Sequence, residues 1–134
     1  MSKFIICLFF IFNLYNCEQK EETLIFEVNP NASKEKELNV KVGEEFAIKL
    51  YCSSTSWVLL NKNEKESITF LKSEYQAEHY DGEELGLGRR GYLIYFFKAN
   101  EITKEPKLLK FTDTYSYLKQ SNPIPKFIIK INVN

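Results

Sequence analysis

The chain has 134 residues, of which 44% are hydrophobic and 15% aromatic, and its 18 basic and 18 acidic side chains cancel to a formal net charge of zero. That length suits one domain, and no clustered Lys and Arg surface of the kind a nucleic acid needs is present, so no nucleic-acid partner is expected. Once residues 1–17 are removed, the one histidine and one remaining cysteine do not make a zinc site, which takes three or four ligands at structured spacing.

Lys3 followed by Phe4-Ile5-Ile6-Cys7-Leu8-Phe9-Phe10-Ile11-Phe12 reads as the positive start and apolar centre of a secretory signal peptide ending near Cys17. Spanning a bilayer takes about 20 apolar residues, so residues 1–17 are expected to be cleaved and no stable membrane insertion is expected afterwards. Residues 18–22 are charged and read as a disordered stub, which leaves 23–134 as the folded domain. The expected destination is the secretory pathway, either outside the cell or in a lysosome- or phagosome-like vesicle. Cys7 and Cys17 leave with the signal. Cys52 then has no internal disulfide partner, and the fold must hold by packing. Asn31-Ala32-Ser33 is a glycosylation sequon in a surface-like stretch.

Alternation with period two runs through the rest. Leu24, Phe26 and Val28 alternate with Ile25 and Glu27; Leu38, Val40 and Val42 with Asn39 and Lys41; Phe46, Ile48 and Leu50 with Ala47 and Lys49. Successive side chains on a strand point to opposite faces, so each apolar set marks a buried face. Further strands are expected over 57–61, 67–71, 92–98, 107–115 and 126–133, and residues 73–84 read as a long loop or a short helical turn. Seven or eight short, aromatic-rich strands describe an all-β domain, either a sandwich of two antiparallel sheets or a barrel.

No working combination of acid, base and nucleophile stands out. A Cys52–His79 dyad is conceivable as a thiolate nucleophile, but a small residue ending a strand and a solvated histidine account for both. Asp81-Gly82-Glu83-Glu84 lacks the alternating ligands of a calcium loop. Gly86-Leu87-Gly88-Arg89-Arg90-Gly91 has the spacing of a dinucleotide fingerprint, but a strand follows it where a helix is required. No cofactor and no metal are expected. What remains is three unusual loops: Cys52-Ser53-Ser54-Thr55-Ser56 closed by Trp57; Leu85-Gly86-Leu87-Gly88 with its basic continuation; and Thr112-Asp113-Thr114-Tyr115-Ser116-Tyr117 at a strand end. Loops on a rigid scaffold are a usual place for recognition.

At these loops the sequence resembles the chagasin family of cysteine-protease inhibitors. Residues 40–50, Val-Lys-Val-Gly-Glu-Glu-Phe-Ala-Ile-Lys-Leu, resemble that family's opening strand pair with its Gly-Glu turn. The family's Asn-Pro-Thr-Thr-Gly loop and following aromatic align with residues 52–57, where Thr55 and Trp57 match. Its Gly-x-Gly loop aligns with Gly86-Leu87-Gly88, followed by a strand reaching Lys98-Ala99. Its Arg-Pro-Trp corner aligns with Asp113-Thr114-Tyr115, where Arg and Pro are absent and Tyr stands for Trp. The likeness runs from about residue 36 onward.

The resemblance implies an immunoglobulin-like β-sandwich, acting as a monomer without catalysis, that plugs the cleft of papain-like, cathepsin-like cysteine proteases with three loops. It implies contacts from Ser53, Ser54, Thr55, Ser56 and Trp57, from Leu85, Gly86, Leu87 and Gly88, and from Asp113, Thr114 and Tyr115. Each residue also has a plain reading: Trp57 as core filler, the glycines as turn formers, Tyr115 as an ordinary strand-end aromatic. The competing functions are an immunoglobulin-like adhesion or ligand-binding module and a small hydrolase using Cys52.

Overall fold

The computed structural model describes residues 22–52, 56–64, 66–77 and 90–134. The signal segment 1–17, all of the charged stub but Glu22, the residues Ser53, Ser54 and Thr55, His79, and Leu85, Gly86, Leu87 and Gly88 lie outside these. Among the described residues eight strands form: β1 (Leu24–Val28), β2 (Glu35–Val40), β3 (Glu45–Cys52), β4 (Trp57–Leu59), β5 (Ile68–Ala77), β6 (Gly91–Ala99), β7 (Lys107–Asp113) and β8 (Phe127–Val133). One short helix, α1 (Thr114–Lys119), follows β7. The strands make two four-stranded sheets, ordered β1-β3-β6-β5 and β2-β8-β7-β4. The chain is therefore an all-β sandwich of the immunoglobulin-like kind.

The alternating apolar residues face each other between the sheets. Phe46, Ile48 and Leu50 of β3 and Tyr95 and Phe97 of β6 meet Leu109 and Phe111 of β7 and Phe127, Ile129, Ile131 and Val133 of β8, all buried. Each such side chain contributes about 1.5–3 kcal/mol on leaving water. Aromatic rings pack within and between the layers: Phe46 stacks on its same-sheet partner Phe97 at 5.4 Å between centroids, and Tyr95 meets Phe111 edge-on across the sandwich at 5.4 Å. Ring pairs at such spacing add to what area burial alone gives.

Three features depart from the sequence expectations. The sheets are mixed instead of wholly antiparallel: β1 pairs parallel with β3, and β2 parallel with β8. β1 and β2 are consecutive but sit in different sheets, so neither meets its neighbour through a hairpin. The segment expected as a loop or turn from residue 73 instead continues β5 as far as Ala77, past a bulge between Phe70 and Lys72. And β2 stops at Val40, leaving Val42 exposed in the turn that Gly43 makes at φ 86°. That left-handed backbone suits glycine.

Gly91 is constrained differently. It begins β6 opposite Ala77 of β5 and Cys52 of β3, and a Cβ placed on it would lie 2.6 Å from the Gln76 carbonyl oxygen and against the Tyr75 ring. Backbone cannot yield as a flexible side chain can. Gly91→Ala should cost about 1–3 kcal/mol in urea unfolding, the usual range for overpacking; an unchanged midpoint would mean that β5 and β6 do not approach as closely as described.

Candidate functional site

The strand ends determine where the connecting loops emerge. Cys52, Gly91 and Ala77 stand side by side across β3, β6 and β5, so the connections 53–56 and 78–90 leave sheet one at the same end. In the other sheet Trp57 stands opposite Asp113, which puts the start of β4 and the end of β7 together. Two hydrogen bonds join these rows. The Trp57 indole N–H donates to the Tyr51 carbonyl at 3.2 Å, and the Tyr95 hydroxyl donates to the Trp57 carbonyl at 2.7 Å. The Tyr95 bond is buried, and burial pushes its phenol up to about 12, so it donates throughout the physiological range.

The third corner is built on the first. The Ser56 carbonyl accepts from both the Thr114 backbone N–H, at 3.0 Å, and the Thr114 hydroxyl, at 3.1 Å. One residue earlier, Asp113 caps α1: its carboxylate accepts from the Ser116 N–H at 2.8 Å and the Ser116 hydroxyl at 3.0 Å, and pairs with Lys126. A side chain satisfying the first helical amides is a usual way to start a helix. Lys126, and then the Ser116 N–H, hold the Asp113 carboxyl down at about 2. The anchors of all three loops thus gather at one end of a rigid two-layer body.

Around this end the chemistry is sparse. Cys52 is buried, its thiol lies 3.6 Å from the Leu50 carbonyl, and burial pushes its pKa up, which disfavours the reactive thiolate. Among the described residues no group of three or more His, Cys, Asp or Glu is placed to hold a metal ion. Tyr115, by contrast, is 66% exposed on α1 with the Lys119 ammonium 5.7 Å from its ring centre, and Tyr117 and Leu118 are exposed beside it.

Solved structures share this architecture. The solution structure of amebosin aligns at TM-score 0.55 with 17% identity over 84% of this chain and 100% of that one. The cysteine protease inhibitor EhICP2 from Entamoeba histolytica aligns at TM-score 0.57 with 12% identity over 84% and 98%. The chain has the chagasin-type fold. PbICP-C, solved in complex with falcipain-2, aligns more loosely, at TM-score 0.42 and 18% identity over 86% and 93%. No protein-family model matches the chain, and no curated protein matches it by sequence.

Within the chagasin-type frame the twelve expected contact residues divide. Ser53, Ser54, Thr55, Leu85, Gly86, Leu87 and Gly88 lie outside the described residues, but the strand ends that carry them stand together. Ser56, Thr114 and Tyr115 are at the same end, and Tyr115 is open to a partner. Trp57 and Asp113 are not: the indole belongs to the core and the carboxylate is enclosed by Ser116 and Lys126, so both position loops from beneath. Tyr115 is also not a strand-end residue as expected, because β7 stops at Asp113 and α1 begins. Ser116, Lys126 and Tyr95 were given no capping or loop-holding role in the sequence reading. An Asp followed three residues later by a residue whose amide it caps was the available signal for the first.

The capping has a consequence for acid. The carboxyl is depressed in the folded state, so its contribution to stability is present above the ordinary value near 3.8 and is lost as pH falls through about 2. Asp113→Ala should therefore cost about 1–2 kcal/mol near neutrality. In thermal melts the gap between the two proteins should persist at pH 5, begin to narrow near pH 4 and close only around pH 2. A gap that widens with acid would refute the cap.

Proposed function

We propose that the chain is a reversible, non-covalent inhibitor of papain-like, cathepsin-like cysteine proteases that blocks the active-site cleft as a monomer and catalyses nothing. The observation that carries this reading is the convergence of the three loop anchors at one end of the sandwich, fixed by the Trp57–Tyr51, Tyr95–Trp57 and Thr114–Ser56 bonds. The fold shared with a cysteine protease inhibitor supports it. So does the residue chemistry. Ser53, Ser54, Thr55 and Ser56 are small, as backbone approaching a narrow cleft at its thiolate requires. Gly86 and Gly88 permit main-chain contact on one side without a Cβ clash. Tyr115 offers a ring as anchor on the other side.

A loop held at both ends has already lost most of its freedom, so less is lost on binding. The expected interface is of ordinary protease–inhibitor size, about 1,600 Å² in total. Export through the secretory pathway, with residues 1–17 removed, completes the proposal by placing the inhibitor where such proteases work. Titrating papain with the purified protein tests it. Activity should fall in proportion to inhibitor added, return on dilution, and fall equally with Cys52→Ser. Full papain activity under a large molar excess would refute the reading.

A further inference from the structure

Asn31-Ala32-Ser33 is the single Asn-x-Ser/Thr triplet in the chain with x other than Pro, and the inhibitor reading makes no use of it. The topology gives it a definite place. β1 runs parallel to β3 with Val28 opposite Leu50, two residues before Cys52. β2 begins with Glu35 opposite Ile128, next to the start of β8 that pairs with Phe111. The connection 29–34 therefore leaves the sandwich at the same end as the three corners, on the edge formed by β1 and β2. The connection is also ordered. The Ala32 N–H donates to the Asn29 carbonyl at 3.1 Å, the Asn31 N–H to the Asn29 side-chain oxygen at 3.0 Å, and the Ile128 N–H to the Lys34 carbonyl at 3.0 Å. Pro30 is buried beneath this turn, while Asn31, Ala32 and Ser33 are exposed.

We propose that Asn31 carries an N-linked glycan that stands beside the protease-facing end and slows capture of the protease; the first half of this proposal rests on the export reading and the second on the inhibitor reading. The donor is an oligosaccharide linked to lipid through pyrophosphate. The Asn31 amide nitrogen forms a bond to the anomeric carbon as the bond from that carbon to the pyrophosphate oxygen breaks. The lipid pyrophosphate leaves with the electron pair, and the amide gives one proton to a base. A glycan is bulky, hydrated and surface-borne. Attached to a pinned turn at the docking end, it sweeps part of the volume through which a partner must approach, yet makes no contact that must break on release. Its effect falls on association.

The full chain produced in a eukaryotic secretory host tests both halves. Intact mass should drop by one glycan on treatment with an N-glycan-releasing amidase, and Asn31→Gln and Ser33→Ala should each lack that glycan from the start. A mass unchanged by the amidase, from a secreted or a retained chain, overturns the modification. Against papain, Asn31→Gln should associate roughly three- to tenfold faster than the glycosylated protein with the same dissociation rate, within the range that one interface's association rates span. Equal association rates overturn the steric role. Protein made without glycan in bacteria separates the two readings: if it fails to inhibit papain, the inhibitor reading falls and the steric role with it, whereas the mass result stands on its own.

Discussion

Replacing Tyr115 with alanine should weaken inhibition of papain by roughly 30- to 1,000-fold, a loss of about 2–4 kcal/mol, while thermal unfolding stays within a degree or two of the parent protein. The size of the first effect follows from the kind of residue. Interface energy concentrates in a few aromatic or Arg anchors that fill pockets on the partner, and Tyr115 is the more exposed of the two aromatics at the third corner. The smallness of the second follows from the same exposure. In the free protein the ring packs on little beyond the Lys119 ammonium, and exposed substitutions of this kind stay within about 0.5 kcal/mol. Ser116, its buried neighbour, continues to hold α1 on Asp113 whatever stands at 115. Inhibition constants and melting curves measured on the same preparation decide the matter. Parent-like inhibition would remove the third corner from the interface.

Much of the fold was legible because burial and alternation coincide. Phe127, Ile129, Ile131 and Val133 alternate without a break and all four are fully buried; Phe46, Ile48 and Leu50 repeat the case. Alternation reports which face is inward, however, and nothing about direction. The parallel pairing of β1 with β3 and of β2 with β8 was therefore not visible. Nor was the far half of β5, where Ser73, Glu74, Tyr75 and Gln76 are all exposed. There the strand runs past the core, both faces meet water, and no apolar period is left to read.

The site was legible as a set of loops and illegible in its division of labour. Thr112 to Tyr117 carries β-branched and aromatic residues, which favour strand locally, and six residues are too few for a helical period to assert itself. The turn from β7 into α1 is made by one carboxylate capping Ser116, a tertiary commitment also secured by Lys126 thirteen residues on. Trp57 shows the opposite limit. Its position next to the 53–56 connection suggested contact with a partner, while its bulk called for burial. The structure satisfies the second demand and uses the indole N–H and the carbonyl to hold the loop ends.

Phe111→Ala should produce the reverse of the Tyr115 result: a loss of about 3–5 kcal/mol in stability with the inhibition constant of the folded fraction little changed. Phe111 is fully buried in β7, with Tyr95 at 5.4 Å from the facing sheet and Phe127 at 6.2 Å from the adjacent strand. Truncation removes the transfer energy of a ring and leaves a cavity that three strands cannot close together, because β4 and β8 hold β7 in register on both sides. The unfolding midpoint should fall by roughly 10–20 °C for a domain of this size, and Phe111→Leu should recover part of it. Asp113 and Thr114 are bonded through Ser116 and Ser56, not through the Phe111 ring. Molecules that remain folded at low temperature should therefore present the same three corners and titrate papain with unchanged affinity. If affinity and stability fall together in both variants, loop geometry and core packing are not separable. The division between a scaffold that holds and a surface that binds would then be wrong for this protein.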